Sequence, residues 1–389
     1  MVLPLDRGTT VGLLATFVLA LSACGGSDGS GGGTTDDVTG SGGAETGGMG
    51  GTALTGTGAA TSGGSTAVGG APQAEVCPST NGPCDPVLVV PGQRLASGLR
   101  TYDGFLYFRA PDSSNPVTGP DFVWRAPLGG GPAEALATIE EPRAIAVGPT
   151  GVYVTSLSGL VMVPLTGGAL TTLDSTYERY WDLRIDETHA YYTNMAPAAE
   201  GGVYTIPLAG GAPTQLAALD YPAEIALNSD YVFATDQGHD PSAAGNIYRV
   251  PKVGGPPELR YGPSTMRPES LCADDSAIYW IEDQQINRLL NGAMAPEILW
   301  SAPTNEEAGN LIVVGNALYW RRRDYLLDGG DRILRAGLDG SGVLTIVNVI
   351  DVIASLVVVD GVVYFTADDG TAQPPLEGIY SASACGCPN

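Results

Sequence analysis

Residues 95–383 repeat one pattern of short apolar runs and turns seven times, and this repeat constrains the fold more than any other feature of the chain. Its clearest copy, AIAVGPTGVYVTSLSGLVMVPLTGGALTTL, runs from Ala144 to Leu173 and holds four strand-like runs. The third run and its Gly-containing turn recur in step, for example in WRAPLGGGP, VMVPLTGGA, YTIPLAGGAP and YRVPKVGGPP. Aligning the second run of each copy gives a residue series spaced by 38 to 47 positions: Tyr107, Tyr153, Tyr191, Val232, Tyr279, Tyr319 and Tyr364.

Each copy is rich in Val, Ile, Tyr, Thr and Leu, is broken by Gly, Pro, Asn and Asp, and has no room for a long helix. A period near 42 residues with four strands per period is typical of a β-propeller blade. One blade has two apolar faces that it cannot bury alone, whereas a closed ring buries each face against a neighbour. The sequence therefore predicts an all-β, seven-bladed propeller of four-stranded antiparallel blades.

The two ends of the repeat region predict how the ring closes. The seventh copy supplies runs at 355–359, 362–367 and 379–383 and then stops without a fourth. The run VLVV, Val87 to Val90, is the only strand-like segment before the first copy. We expect it to be the missing outer strand, so that the last blade is shared three strands to one.

The N-terminus has the features of an export signal. Residues 1–23 hold Arg7, an apolar run from Val11 to Leu21, and Leu-Ser-Ala before Cys24. The run is too short for a permanent membrane span. Leu-Ser-Ala-Cys resembles the lipobox of bacterial lipoproteins, which implies a lipidated Cys24 as the mature N-terminus. Gly25 after the cysteine implies the outer membrane in that family. An ordinary signal peptide cleaved nearby is the alternative.

The predicted domain plan is a signal peptide at 1–23, a tether at 24–76 and a propeller domain at 77–389. The tether is almost entirely Gly, Thr, Ser and Ala, a composition that cannot build a core, so we expect it to be disordered. A formal net charge of −24 argues against binding nucleic acid or an anionic membrane surface. We expect a monomer in the cell envelope, with its lipid anchor as the only membrane contact.

Five cysteines remain if Cys24 is lipidated, and an exported chain favours their pairing. We predict Cys84–Cys385 and Cys77–Cys387, because these residues flank the two strands that meet in the shared blade. A local Cys77–Cys84 bridge and a four-cysteine zinc site are the alternatives. Cys272 belongs to neither predicted pair and is interpreted as a small buried residue rather than a nucleophile.

The longest loops are predicted on one face of the ring. They join the second and third strands of their blades, at 109–122, 194–202, 235–246, 321–331 and 368–378. Loop insertion on one side of a repeat scaffold is typical of a working surface. Unselected drift in loop length on an unused face is the alternative explanation.

The start of each innermost strand predicts a ligand site at the channel mouth on this face. The candidate residues are Arg143, Trp181, Asp182, Glu224, Glu269 and Asn310, with Ser97 and Ser355 at the same level. Three acids, an arginine and a tryptophan facing one axis could bind a polar ligand. The alternative is that these side chains pair with one another and solvate the channel.

Catalytic motifs are scarce. The two histidines, His189 and His239, lie in loops, and the sequence has no zinc-protease helix, nucleophile elbow, phosphate loop or EF-hand loop. We therefore predict no catalytic residues and no cofactor or metal. Asp236, His239 and Asp240 leave calcium as an alternative.

Copies five to seven, in the segments AIYWIEDQQINRLL, ALYWRRRDYLLDGGDRILRAGLDGSG and VVYFTADDG, resemble YWTD and NHL-type propeller repeats. The resemblance implies the fold and not an activity, and six blades and a Thr-Asp are usual in YWTD propellers. Seven-bladed lyases acting on cyclic antibiotics have a similar shape but depend on a channel histidine, with which neither His189 nor His239 aligns.

These features favour a lipid-anchored envelope propeller that binds a protein or glycan partner through its long-loop face. A lyase or lactonase using acids at the channel mouth is the enzyme alternative. A subunit of an envelope assembly complex is the third hypothesis.

Overall fold

The computed structural model describes residues 77–78, 81–111, 121–238, 245–325, 330–349, 352–368 and 377–388. These residues form strands and turns and no helix. Consequently, this part of the protein holds no helix with the length and apolar character needed to cross a membrane.

The described strands form seven four-stranded antiparallel sheets, as predicted, together with a two-stranded sheet at the closure. Two strands precede the first blade, β1 (Asn81–Gly82) and β2 (Val87–Pro91). Blade 1 holds β3 (Ser97–Tyr102), β4 (Phe105–Pro111), β5 (Asp121–Pro127) and β6 (Glu134–Ile139). Blade 2 holds β7 (Pro142–Gly148), β8 (Gly151–Ser156), β9 (Gly159–Val163) and β10 (Thr171–Asp174). Blade 3 holds β11 (Tyr180–Ile185), β12 (His189–Asn194), β13 (Gly202–Pro207) and β14 (Thr214–Ala218).

The remaining blades follow the same order along the sequence. Blade 4 holds β15 (Pro222–Leu227), β16 (Tyr231–Asp236), β17 (Gly245–Pro251) and β18 (Glu258–Ser264). Blade 5 holds β19 (Glu269–Ala273), β20 (Ala277–Glu282), β21 (Gln285–Leu290) and β22 (Glu297–Ser301). Blade 6 holds β23 (Glu306–Val314), β24 (Ala317–Asp324), β25 (Asp331–Gly337) and β26 (Leu344–Asn348). Blade 7 holds β27 (Leu356–Val359), β28 (Val362–Ala367) and β29 (Gly378–Ser383), and β30 (Cys387–Pro388) ends the described residues.

The ring closes as the sequence predicts. β2 pairs with β29 as the outer strand of blade 7, with Leu88 opposite Tyr380. The first strand of each blade is innermost and contacts the first strand of the next, and β27 contacts β3. Seven buried apolar clusters occupy the seven interfaces between neighbouring blades. The hydrophobic core is therefore a ring of interfaces, which explains why a single blade could not bury its own faces.

The repeated aromatic of the second strand keeps its register in the structure, with one correction in blade 4. Tyr153 lies opposite Ala146, and the residue at the same register in blade 4 is Phe233, opposite Ala226. The assignment of Val232 to this series was one residue off, because aromatic residues flank Val232 on both sides in the segment DYVF. Phe233 is almost completely buried, like Tyr153.

The four closure cysteines form two disulfides, but the partners differ from those expected. Cys77 bonds Cys385 and Cys84 bonds Cys387, with Cα–Cα distances of 5.1 Å in both, so the predicted pairing was wrong, and neither the local bridge nor the zinc site forms. β1 pairs with β30 and places Gly82 opposite Cys387. Cys84 then leaves this ladder and donates its N–H to the Ile346 carbonyl of blade 6. This departure keeps Cys84 beside Cys387 and leaves Cys385 to Cys77.

Candidate functional site

One face of the ring carries the connections from second to third strands and from each blade to the next. We call it the loop face; hairpins between first and second strands and between third and fourth strands lie at the other end, the turn face. Of the predicted long loops, 194–202 is described in full. The loops at 109–122, 235–246, 321–331 and 368–378 lie partly outside the described residues.

The predicted channel-mouth residues occupy two adjacent positions of the innermost strands, and the structure uses these positions differently. Asp182, Glu224, Asn310 and Ser355 occupy the inner position, and each hydrogen-bonds the backbone of the next blade. Three of them accept a backbone N–H: Asp182 Oδ2 from Ile225 at 2.9 Å, Glu224 Oε2 from Leu271 at 2.8 Å, and Ser355 Oγ from Leu99 at 3.0 Å. Asn310 Nδ2 instead donates to the Ala354 carbonyl at 2.7 Å. We call these four residues the clasp residues, because they join neighbouring blades.

A second set of inter-blade bonds comes from the second strands and was not predicted from the sequence. The Thr193 hydroxyl accepts the Asp182 N–H at 3.1 Å and donates to the Ala223 carbonyl of blade 4 at 2.7 Å. Thr155 does the same between blades 2 and 3, and the Arg321 guanidinium donates to the Ile353 carbonyl of blade 7. These residues come two positions after the repeated aromatic. A polar residue at that offset was the signal that could have identified them.

The clasp of blades 3 to 5 buries charge. Asp182 is almost completely inaccessible and its carboxylate is 2.6 Å from the Arg184 guanidinium. Burial, reinforced by the nearby Asp182 charge, raises the pKa of Glu224 to about 8. Glu224 is therefore mostly protonated at neutral pH, but its carboxyl is buried and engaged with backbone. The arrangement suits Glu224 to join neighbouring blades.

Arg143 and Trp181 lie at the other position, one residue nearer the loop face, and together they form part of a cavity. The Arg143 guanidinium carbon lies 4.7 Å from the centre of the Trp181 ring, within cation–π range. The cavity has a volume of about 600 Å³, which is within the usual range of ligand pockets. We call it the blade 2–3 cavity; its lining residues are Glu140, Arg143, Leu157, Ser158, Glu178, Arg179, Trp181 and Met195.

A neighbouring cavity of about 620 Å³ shares Glu178 and Arg179 with it and extends along blade 3 past Tyr177 to Tyr221. Four of the residues around this second cavity belong to the described 194–202 loop: Asn194, Ala196, Pro197 and Glu200. The two cavities form a continuous lined surface on the loop face over blades 2 to 4.

Glu269 lies in a third cavity on the loop face, apart from Arg143 and Trp181. This cavity, about 350 Å³, also holds Arg267, Glu282 and Glu307. Desolvation, and then the charge of Glu307, raise the pKa of Glu269. The six candidate residues thus do not line one pocket. Arg143 and Trp181 line the blade 2–3 cavity, Glu269 lies in another cavity, and the clasp residues are Asp182, Glu224 and Asn310.

Metal ligands do not gather in the part of the protein that is described: no group of three or more His, Cys, Asp or Glu residues there could hold an ion. His239 and Asp240, on which the calcium alternative depends, lie outside the described residues. Asp236 accepts a hydrogen bond from the Gly238 N–H at 3.0 Å. His189 lies on the turn face, where its Nδ1 is 2.8 Å from the Thr188 hydroxyl.

Comparison with known proteins identifies a fold and no family. No family profile matches the sequence, and no curated protein matches it. A puromycin-hydrolyzing peptidase from Mycobacterium tuberculosis is 14% identical, with a TM-score of 0.58 over 76% of this chain and 53% of that chain. YCF48 bound to D1 peptide is 9% identical, with a TM-score of 0.57 over 78% of this chain and 99% of that one. Acylaminoacyl peptidase of Pyrococcus horikoshii is 9% identical, with a TM-score of 0.53 over 74% and 52%. This chain spans about half the length of the two peptidases, and at these identities the similarity concerns the propeller fold alone.

Proposed function

We propose that this protein is a lipid-anchored cell-envelope β-propeller that binds a protein partner through its loop face. The proposal rests on one observation: some polar residues of the innermost strands join neighbouring blades, and others line a cavity. Asp182 and Glu224, two of the three channel-mouth acids on which the enzyme alternative depends, are engaged with the backbone of the next blade. Arg143 and Trp181 instead line an open cavity on the loop face.

The predicted anchor supports the same function. Lipidation at Cys24 would fix the N-terminus in a membrane, and a Gly-rich coil of some 50 residues has an end-to-end distance of roughly 40 Å. The propeller would then reach partners well above the lipid surface. The similarity to YCF48, a propeller of comparable size described as bound to a peptide, supports binding as a use of this fold.

Site-specific photo-crosslinking in intact cells tests the proposal. A photoreactive residue replaces Leu157 on the loop face or, as the matched control, Val253 on the turn face; both side chains are accessible, Val253 at 96%. We expect the Leu157 probe to capture one reproducible protein and the Val253 probe not to capture it. No captured protein, or equal capture from both faces, would contradict the proposal.

The anchor is tested separately by replacing Cys24 with serine. We expect the C24S variant to move from the membrane fraction to the soluble fraction while keeping the same thermal unfolding. A C24S variant that stays with the membrane would refute lipid anchoring and leave the loop-face result untouched.

A further inference from the structure

The charged residues of the blade 2–3 cavity are not paired with one another. Arg143, Arg179, Glu140 and Glu178 all line it, and none takes part in an ion pair with any residue that the structure describes. Two other arginines that lie beside an aromatic ring, Arg125 and Arg249, are paired with Glu134 and Glu258. The cavity therefore holds two guanidiniums that have no carboxylate partner among the described residues.

The position of the Arg143 guanidinium suits it to bind an anion. Stacking on the Trp181 ring fixes the plane of the guanidinium and leaves the donors along its edge for a ligand. Its Nε is buried and has no hydrogen-bond acceptor within the described part of the protein. A ligand cannot reach an Nε that has no accessible surface, so the two terminal Nη groups are the donors that a ligand could use. Carboxylates match the forked donors of arginine in a bidentate geometry.

The rest of the lining limits what else the ligand can be. Glu140 and Glu178 would repel a ligand with several negative charges, so phosphate-rich molecules and acidic polymers fit poorly. Leu157, Met195 and the Trp181 ring offer apolar surface beside the guanidiniums. The ligand therefore needs one carboxylate, an apolar group next to it, and polar hydrogens for the two glutamates. Peptides combine all three, because their backbone N–H groups or basic side chains can reach acidic acceptors.

We propose that the blade 2–3 cavity binds a peptide segment of a partner protein that presents one carboxylate beside an apolar side chain, with Arg143 as the carboxylate receptor. This inference rests on the proposed function and specifies the chemistry of its partner. The carboxylate comes either from the C-terminus of the partner or from one of its Asp or Glu side chains, and both sources give the same contact with Arg143.

Peptide display on the full-length protein tests this chemistry. One set of libraries displays peptides with free C-termini, and the other displays peptides whose two ends are both joined to the display protein. Both are selected for binding to the protein, and the recovered sequences are synthesised with a fluorophore. Binding is measured by fluorescence polarisation for three forms of each peptide: unmodified, amidated at the C-terminus, and with internal Asp and Glu changed to Asn and Gln. Loss of binding on amidation identifies a C-terminal carboxylate, and loss on the internal changes identifies an Asp or Glu carboxylate.

Two variants separate recognition from folding. Arg143→Gln removes the proposed receptor, and we expect peptide affinity to fall by about tenfold or more, the usual effect of losing hydrogen bonds to a charged group. Arg249→Gln is the matched control, because Arg249 also stacks on an aromatic ring, that of Tyr231, but pairs with Glu258 away from the cavity. We expect R249Q to bind peptide like the unmodified protein, and both variants to keep the thermal midpoint within a few degrees.

Recovered peptides without an essential carboxylate, peptides that bind R143Q undiminished, or no recovered peptides at all would overturn this inference. The proposed function fails by a different result, namely no captured protein or equal capture from Leu157 and Val253. If photo-crosslinking from Leu157 captures a partner in the R143Q variant as well as before, the proposed function stands and only the carboxylate contact with Arg143 is refuted.

Discussion

Asp182 and Ile225 lie in neighbouring blades, and the carboxylate of the first accepts a hydrogen bond of 2.9 Å from the backbone N–H of the second. The same carboxylate group also contacts the Arg184 guanidinium at 2.6 Å and the Leu183 N–H at 2.8 Å. A residue that looks like a channel-mouth ligand from its position in the sequence is thus a structural bridge. The acidic character of Asp182 and Glu224 reflects how neighbouring blades are held together.

Asp182→Ala should strongly destabilise the propeller. The change removes the inter-blade bond and breaks the buried ion pair between Asp182 and Arg184, and breaking a buried pair usually costs about 3 to 5 kcal/mol. Glu134→Ala is the control, because Glu134 pairs with Arg125 at the surface with more than half of its side chain exposed. We expect less than about 1 kcal/mol there. Denaturant unfolding measures both, and similar costs would contradict the role given to Asp182.

Stability should fall as the pH rises from about 5 to 8, because of Glu224. Burial raises the pKa of this group from 4.5 to about 8 in the folded protein. Between those values the unfolded protein loses the proton while the folded protein keeps it, so unfolding becomes more favourable as the pH increases. Below 4.5 the protonated group stabilises fully, and above 8 its contribution is gone, a difference on the order of a few kcal/mol.

Glu224→Gln isolates that effect. The amide oxygen can still accept the Leu271 N–H, but it cannot ionise, so the midpoint of thermal unfolding should depend less on pH between 5 and 8. Glu187→Gln, in an exposed turn, serves as the control and should leave the slope unchanged. An E224Q variant with the same slope as the unmodified protein would show that Glu224 does not titrate in this range.

The repeat predicted the number of blades and the shared blade because both follow from sequence patterns that a propeller blade requires. Strand periodicity and the repeated aromatic recur in every copy, and the Gly-containing turn recurs in the first six. The seventh copy lacks a fourth strand, and the sequence before the first copy offers one candidate for it. Val87 to Val90 was identified on that basis, and β2 occupies the place expected for it.

The candidate site was less predictable because every innermost strand except β27 carries a bulge in its ladder, as between Pro142 and Ile145 of β7. A bulge adds one residue without changing the apolar pattern, so the sequence does not reveal which of two neighbouring residues turns toward the next blade. Trp181 and Asp182 are such a pair: one lines the cavity, and the other forms the clasp. Likewise, the exchange of cysteine partners depends on where Cys84 leaves the β1–β30 ladder, which no local pattern encodes.

Thr193→Val should weaken the interface between blades 3 and 4. The isosteric change removes a hydroxyl that bonds both the Asp182 N–H and the Ala223 carbonyl, and each buried group left without a partner costs about 1 to 3 kcal/mol. The matched control is Thr172→Val on the exposed strand β10, where we expect a change within about 0.5 kcal/mol. Equal effects of T193V and T172V on denaturant unfolding would show that the hydroxyl bridge adds nothing to stability.

The two disulfides should hold the ring closed, and single cysteine substitutions should show which cysteines each one joins. Cys77–Cys385 and Cys84–Cys387 span 308 and 303 residues, and one link of this length restricts the unfolded state by about 5 kcal/mol in the chain-entropy argument. The second link adds less, because the first already holds the two ends of the chain close together. Cys77→Ser should therefore lower the thermal midpoint and release one thiol. Alkylation of that thiol followed by tandem mass spectrometry identifies its position, because fragmentation at Gly386 separates Cys385 from Cys387. We expect the label on Cys385, and the reciprocal Cys84→Ser should place it on Cys387. The opposite pattern would restore the pairing expected from the strand ends and would mean that Cys84 follows the β1–β30 ladder instead of turning toward blade 6.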